Sequence, residues 1–360
     1  MTPWPGSKLR NSQTLLAHLL LLAVVLVWGT TFSLVKAALA DITPLLFNLL
    51  RMTLAFLVLA AVNRPSLRQI TPAELKLGVA AGLFLGLGYQ LQTSGLMHTS
   101  ASRAAFITGL VVVIVPLLSA VPGVLPNHPL PARPHTPPPA STSTDNLSAD
   151  PPFDPRNSAS VSPNSPLDPG SALRPTLDTY AGALLAFSGL VLLTTPPGLG
   201  LALFAGIGLG EWLCLGCALA FAAHLLTLAR AAPVVPARRL ATLQIGFAAI
   251  LMLLTLPLQG RPHFHSTALV WLALAVTAVL ATAAAFTIQS WAQQHLPPSH
   301  TALILTLEPV FAWLTSLLFL GERLGPRGLL GAGLILAGIL LAELRPITRG
   351  RSQLLPINGA

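Results

Sequence analysis

Charged side chains are scarce in this sequence, and their scarcity excludes an ordinary water-soluble globular protein. Only 9% of the 360 residues are Asp, Glu, Lys or Arg, whereas 53% are hydrophobic. A typical soluble domain has a charged share of roughly 25%. Several apolar runs reach the roughly 20 residues that a helix needs to cross about 30 Å of hydrocarbon. The composition therefore predicts an integral membrane protein.

Cysteine is nearly absent, and so are the short motifs of common enzyme classes. The two cysteines, Cys214 and Cys217, lie three residues apart in an apolar segment, and no second Cys or His pair completes a zinc set. We interpret them as small packing residues; a CxxC redox or metal site is the alternative. The sequence contains no HExxH, GxSxG or Walker A pattern. It therefore predicts no metal, no cofactor and no intrinsic use of ATP.

Ten apolar segments, separated by short polar or Pro/Gly stretches, are the predicted transmembrane helices. They lie near residues 15–35, 43–62, 77–97, 102–121, 179–195, 211–230, 241–258, 268–290, 299–320 and 328–344. Residues 122–178, between the fourth and fifth segments, are dense in proline and serine and lack apolar periodicity. This stretch is predicted to be a disordered loop, because it cannot bury enough apolar surface to fold.

The two halves of the chain repeat each other. Residues 89–110 align without a gap on residues 286–307, at a spacing of 197, so that Gln92 falls on Gln289. Each half holds five predicted spans, and an odd number obliges the second half to enter the membrane in the opposite sense. The predicted fold class is therefore an all-α membrane protein with ten transmembrane helices as two inverted five-helix repeats.

The positions of the basic residues favour a membrane topology over nucleic-acid binding. The net charge is +9, but Lys and Arg occur in ones and twos between apolar segments. With a cytoplasmic N-terminus, fourteen of the 20 Lys and Arg residues fall in inside segments and five in outside segments, while Arg51 lies within a span. Inside segments of membrane proteins carry such an excess. The sequence thus predicts cytoplasmic N- and C-termini and no nucleic-acid partner.

Three long stretches carry a family resemblance. They are VWGTTFSLVKAALADITPLLFNLLR (27–51), GLGYQLQTSGLMHTSASRAAFI (86–107) and LEPVFAWLTSLLFLGERLGPRGLLGAGLILAGILL (307–341). With these stretches and its ten spans, the chain resembles the drug/metabolite transporter superfamily in its EamA-like branch. The resemblance covers nearly the whole chain except the predicted loop. Two features depart from the family pattern: the usual proline near Val112 is displaced to Pro116, and VPGVLP replaces a GER-like turn after the fourth span.

The resemblance implies a domain organisation and a location. The expected units are residues 1–121 as spans one to four of a first EamA-like repeat, 122–178 as a cytoplasmic insert, 179–195 as the fifth span, 211–344 as a second repeat, and 345–360 as a cytoplasmic tail. The expected location is a bacterial inner membrane, with the lipid bilayer and a small-molecule substrate as partners. A homodimer is a further expectation.

Glu308 and Pro309 are the first candidates for a functional site. Glu308 is the tenth residue of its predicted span and therefore lies near the bilayer midplane, where an ionisable group costs about 2.5 to 3.5 kcal/mol on insertion scales. Pro309 lacks a backbone donor, and the carbonyl that it leaves free needs protein or water as a partner. The pair predicts a broken, cavity-lining point in the ninth span. Its repeat counterpart, Val111, is apolar.

Arg51 is the second charged candidate, at a similar depth in the second span. We hypothesise that Arg51 and Glu308 pair with each other when the site is empty and that substrate or a proton competes for them. A static ion pair that only fixes helix packing is the alternative. The remaining candidates are polar or aromatic residues within spans, each of which also has a packing interpretation: Gln92, Gln289, Trp28, Phe32 and Tyr89.

These patterns together predict a secondary transporter that moves a small metabolite or drug by alternating access around a midplane cavity. Export is the predicted direction, and proton coupling through Glu308 is one mode, with uniport and exchange as others. A membrane receptor or assembly protein without transport is one competing function. An intramembrane enzyme is another, although one central acid and one central base provide little catalytic chemistry.

Overall fold

Most of the chain is helical in the part that the structure describes. This computed structural model describes residues 5–68, 70–119, 177–194, 207–231, 234–292 and 304–352. Its helices are α1 Pro5–Ala38, α2 Pro44–Leu67, α3 Pro72–His98, α4 Ala101–Gly109, α5 Val111–Ser119, α6 Leu177–Thr194, α7 Leu209–Ala231, α8 Ala237–Thr255, α9 Ala268–Ala275, α10 Ala285–Ala292, α11 Glu308–Phe319 and α12 Pro326–Ser352. A 3₁₀ turn spans Leu256–Gln259 and a π-helical segment spans Val276–Ala284.

Five described segments are long and apolar enough to cross a membrane. They are Leu15–Ala38, Pro44–Pro65, Leu209–Leu228, Ala237–Leu258 and Ala268–Gln289. Four shorter apolar helices cover Ala101–Val115, Tyr180–Thr194, Glu308–Phe319 and Pro326–Leu341. The all-helical prediction is thus confirmed for the described residues, whereas ten crossings in two inverted repeats stay a prediction. The predicted insert 122–178 lies outside the described residues except for its last two, and so do residues 353–360 of the predicted tail.

Helix starts follow the local sequence closely. Thr71 caps α3, since its hydroxyl accepts from the Glu74 amide while the Glu74 carboxylate accepts from the Thr71 amide, and Pro72 occupies the first helical position. Ser100 caps α4 by accepting from the Arg103 amide. Such caps satisfy donors that have no partner within the helix. They set where α3 and α4 begin and hence the register of both helices along the bundle.

Two helices of the bundle break at equivalent positions of the repeat. The fourth span is interrupted at Leu110, between α4 and α5. The ninth span has a turn at Thr306 and Leu307, directly before α11 begins at Glu308. Leu110 and Leu307 are the aligned ends of the two repeat segments. A break before Glu308 agrees with the sequence prediction, whereas the break at Leu110 was not predicted, because no proline or charge marks it.

The bundle has two polar ends, which we name after the acidic residue at each. At the Glu74 end, Arg239 at the start of α8 forms an ion pair with Glu74 of α3, with an N–O distance of 2.6 Å. At the Glu322 end, the carboxylate of Glu322 accepts from the amides of Ala101 and Ser102 at the start of α4. Between these ends the helices pack through buried apolar side chains.

Candidate functional site

A cavity of about 110 Å³ lies between the helices. Seven of the eight residues that the sequence singles out line it, and they come from both halves of the chain: Trp28, Phe32, Arg51, Tyr89, Gln92, Gln289 and Glu308. Pro309 is buried directly behind the wall, where its Cγ would lie 2.9 Å from a Cβ added at Gly109. The fold therefore brings the candidates together, while their role in binding stays a prediction.

Arg51 is fixed by two partners on different helices. Its side chain is buried, its Nε donates to the Thr282 hydroxyl at 2.9 Å, and its guanidinium carbon lies 4.2 Å from the centre of the Tyr89 ring. The Thr282 hydroxyl in turn donates to the Thr277 carbonyl at 2.7 Å. A desolvated arginine over an aromatic face is stabilised by about 2 kcal/mol. The guanidinium is therefore held as a preformed cation at the cavity wall.

The π-helical segment supplies the acceptors for this arrangement. Thr282 lies within Val276–Ala284, and so does Ala281, whose carbonyl accepts from the Trp28 indole Nε1 at 2.8 Å. A π-helical stretch loosens the regular ladder of backbone hydrogen bonds and often occurs at functional sites. Here it allows side chains of α1 and α2 to bind the eighth span at two consecutive residues.

The predicted pair of Arg51 and Glu308 is not an ion pair in this structure. Among the described residues, ion pairs within 4.0 Å involve other partners. Arg51 is engaged by Thr282 and Tyr89 instead, and Glu308 lines the cavity separately at the first position of α11. The hypothesis of direct pairing is therefore wrong for this conformation. The cavity presents an acid and a base as two distinct groups.

Aromatic rings form much of the remaining wall. Phe286 lies 5.8 Å from Trp28 and 6.2 Å from His224, centre to centre. Tyr89 meets Phe221 edge to face at 5.2 Å. Such tilted and edge-to-face pairs are favourable aromatic geometries. They give the cavity a packed aromatic wall beside its ionisable residues, Arg51 and Glu308.

Two buried polar pairs near the cavity were not predicted from the sequence. His224 lines the cavity, and its Nε2 lies 2.6 Å from the Gln244 Oε1. Asn48 donates to the Tyr89 carbonyl at 3.0 Å and accepts from the Thr93 hydroxyl at 3.1 Å. The signal for both was present, since Asn48, His224 and Gln244 are polar residues deep within apolar spans. The pairing itself carried no such signal, because the partners lie on different helices.

No metal site is apparent in the part of the chain that the structure describes. There, no group of three or more His, Cys, Asp or Glu residues is placed to hold an ion. Cys214 and Cys217 are buried free thiols. Their positions agree with the packing interpretation, and the Cys217 sulfur lies 3.9 Å from the Thr108 hydroxyl.

Comparisons with known proteins point to one family. The EamA-like transporter family matches the chain over residues 15–122 and again over residues 208–344. An uncharacterized transporter from Archaeoglobus fulgidus is 30% identical over 331 residues, which cover 92% of this chain and 87% of that protein. A protein crystal structure is similar in fold, with a TM-score of 0.55 and 19% identity over 93% of this chain and 98% of that one.

The family assignment agrees with the architecture of the site. Two matched stretches flank the unmatched middle of the chain, and residues from both stretches line one cavity. The helices include five that are long and apolar enough to span a membrane. The chain therefore belongs to the EamA-like transporter family and is a multi-pass membrane transporter.

Proposed function

We propose that this protein is a secondary transporter that exports a small polar metabolite by alternating access around the described cavity. The observation that supports the proposal is that Glu308, Arg51 and aromatic rings from both halves of the chain line the same cavity. A buried charge within a membrane protein normally faces a cavity or a partner. Alternating access needs a site between two repeats that can rock against each other.

The size and chemistry of the cavity favour a small metabolite over a drug. An engineered apolar cavity of about 150 Å³ holds benzene, and drug-sized ligands occupy pockets of about 300 to 1,000 Å³. The cavity here measures about 110 Å³. Glu308, Arg51 and the glutamine side chains in the lining suit a solute with polar groups, and the aromatic rings of the wall suit an apolar part of it.

The proposed topology has ten crossings in two inverted repeats, with both termini in the cytoplasm. Equivalent breaks at Leu110 and Leu307 support the repeat, because a shared ancestral bend would appear once in each half. The excess of Lys and Arg in the predicted inside segments supports the orientation. In this arrangement the Glu74 end faces the cytoplasm and the Glu322 end faces the opposite side of a bacterial inner membrane.

Untargeted metabolite profiling tests the proposal while the substrate is still unidentified. Medium and cytosol would be compared for bacteria that express the wild type, Glu308→Gln or an empty vector. We expect one unmodified compound to move from cytosol to medium with the wild type, and to move far less with Glu308→Gln, which keeps the shape but removes the charge. Chemical conversion of a compound instead of its redistribution would contradict transport and support an enzyme.

The same variant tests proton coupling through Glu308. In membrane vesicles, coupled transport of the identified compound would depend on pH in the wild type and lose that dependence in Glu308→Gln. A rate that is independent of pH in both proteins would remove the proton hypothesis. Uniport or exchange would then be the mode of transport.

Gln92 and Gln90 form a matched pair for testing the cavity. Gln92 lines it, whereas Gln90, two residues away on α3, donates to the Thr255 hydroxyl at 2.6 Å and lies outside the lining. Loss of one hydrogen bond to a polar solute weakens binding by about 0.5 to 1.5 kcal/mol. We expect Gln92→Leu to raise the KM of transport by about three- to tenfold and Gln90→Leu to leave it unchanged. Equal effects of the two substitutions would contradict the assignment of this cavity.

A further inference from the structure

The turn that follows α11 places a carboxylate where it can bind a different helix. α11 ends at Phe319, and Gly321 adopts a left-handed φ of +66°, which residues with a Cβ rarely adopt. The amide of Glu322 then returns to the Ser316 carbonyl at 3.3 Å. This turn, Gly321-Glu322-Arg323, directs Glu322 away from its own helix and toward α4.

Glu322 binds the start of α4 through three hydrogen bonds. Its Oε1 accepts from the Ala101 amide at 3.0 Å, and its Oε2 accepts from the Ser102 amide at 3.2 Å and from the Ser102 hydroxyl at 3.0 Å. The donors at a helix N-terminus have no partner within the helix and carry partial positive charge. Hydrogen bonds to an ionised acceptor are among the strongest in proteins.

The carboxylate is charged under physiological conditions. Partial burial of Glu322 works against the charged form, but hydrogen bonds from surrounding donors, which include the Ala101 and Ser102 amides, outweigh burial and hold its pKa below the usual range. A lowered pKa means that the stabilising contribution is complete above the ordinary pKa of glutamate and is lost only as the pH falls through the lowered value. The contact is therefore intact throughout the neutral range.

Glu322 and Pro309 together connect α4 and α11 at both of their ends. At the Glu322 end the carboxylate joins the turn after α11 to the start of α4. At the opposite ends of these two short helices, Pro309, the second residue of α11, packs against Gly109, the last residue of α4. Gly109 and Glu308 both line the cavity. The position of Glu308 relative to α4 thus depends on the contact that Glu322 makes.

Neighbouring polar contacts close the same end of the bundle. The Lys36 ammonium donates to the carbonyls of Leu96 and Thr99, the latter at 2.9 Å, and is attracted by the charge of Glu322. Val35, next to Lys36, and Leu96 both line the cavity and are buried. These two apolar side chains therefore separate the cavity from the polar layer that contains Glu322.

The carboxylate that binds the start of α4 has no equivalent at the corresponding position of the first half of the sequence. At the repeat spacing of 197, the counterpart of Glu322 is Leu125, which lies outside the described residues and has no carboxylate. We propose that Glu322 is a one-sided latch, which holds the cavity closed at the Glu322 end until its contact with Ala101 and Ser102 is released. The latch rests on the proposed function for its biological meaning, since it would keep an exporter closed toward the side of release.

Cysteine accessibility tests the latch and does not require an identified substrate. The reporter is Val35→Cys in a full-length protein whose two native cysteines are replaced by alanine, treated in intact cells with a membrane-impermeant maleimide. We expect slow labelling when Glu322 is present. In Glu322→Ala we expect labelling about tenfold faster, because loss of a charged hydrogen bond shifts a two-state equilibrium by about that factor. Ser102→Ala should give an intermediate rate, since the two amide donors remain.

Two controls keep the outcomes distinct. Arg323→Ala removes an exposed charge next to Glu322 and should leave the labelling rate of the reporter unchanged. Arg261→Cys is an exposed position at the same end and should label equally in every background. If Arg261→Cys is protected in intact cells, the orientation is reversed and the comparison is made in inside-out vesicles.

Equal labelling of Val35→Cys in the Glu322 and Glu322→Ala proteins would overturn the latch and leave Glu322 as a helix cap. The purified variants must first show a monodisperse size-exclusion profile, so that faster labelling reflects opening and not unfolding. Should Glu322→Ala fail this requirement, Glu322→Gln replaces it, since it retains one acceptor oxygen and removes the charge. Metabolite profiling tests only the proposed transport function, and cysteine labelling tests only the latch. The failure of one proposal can therefore be distinguished from the failure of the other.

Discussion

Gly338→Leu is expected to abolish the pairing of α6 with α12 and to leave little folded protein. A Cβ at Gly338 would lie 2.5 Å from the Gly182 carbonyl oxygen and 2.6 Å from the Ala186 amide nitrogen. These are backbone atoms, which cannot move aside without displacing the helix. Gly189 and Gly331 form the same kind of contact about two helical turns away. A Cβ added at Gly189 would lie 2.5 Å from the Gly331 carbonyl oxygen. Small residues of this kind allow close helix contact in membranes.

The milder change Gly338→Ala allows a quantitative test. Overpacking a tight contact typically costs about 1 to 3 kcal/mol, so we expect a clear fall in the melting temperature of the detergent-purified protein. Gly333→Ala is the matched control on the same helix, because a Cβ at that position would meet no atom of another described helix within 4 Å. Alanine favours helix over glycine by about 1 kcal/mol, so the control should be neutral or slightly stabilising. Equal melting temperatures for the two variants would contradict the close contact.

Arg51→Gln is expected to reduce transport at least tenfold while the protein still folds. The substitution removes the cation from the cavity, together with its stacking on Tyr89 and its hydrogen bond to Thr282. Arg51→Lys should rescue little, because an ammonium lacks both the planar surface and the Nε donor of the guanidinium. Thr282→Val removes only the acceptor and should have a smaller effect in the same direction. The measurement is the initial transport rate of the identified compound, normalised to folded protein in the membrane.

The double variant Arg51→Gln with Glu308→Gln decides whether the two charges act on each other. The structure gives Arg51 partners other than Glu308, so the two charges act on each other only through the cavity that they share, and we expect a coupling of about 0.5 kcal/mol, at the low end for residues that share a cavity. Coupling of more than about 1 kcal/mol would restore the direct pair that the sequence suggested. If Arg51→Lys behaved like the wild type, the guanidinium contacts would be irrelevant and only charge would matter.

The candidate residues were found because charge within an apolar run is costly. Glu308 and Arg51 are visible in the sequence as ionisable groups ten and nine residues into their predicted spans, and their membership of one cavity follows the expectation for intramembrane charge. Gln92 and Gln289 were visible for the same reason, reinforced by their equivalent places in the repeat. The aromatic candidates were less distinctive, since most aromatic residues in such spans only pack. The structure nonetheless places Trp28, Phe32 and Tyr89 on the cavity.

The partners of these residues could not be predicted, and one partner was predicted wrongly. Arg51 was expected to meet Glu308, yet it meets Thr282 and Tyr89. Thr282 is an ordinary threonine in an apolar run, and nothing in its neighbourhood signals the π-helical segment that contains it. The break at Leu110 has no sequence signal either. Its counterpart at Leu307 is followed by Pro309, whereas no proline lies next to Leu110.

Sequence alone indicated the membrane class, the family, and the position of each polar residue along its predicted span. That position follows from counting, because every helical residue advances about 1.5 Å along the axis. Only the tertiary structure decided which way each helix faces and where its backbone departs from a regular helix. Spans that are apolar on all sides carry no polar face to indicate their rotation. That rotation, and with it the partners of Arg51 and Glu322, comes from contacts between helices that lie far apart along the chain.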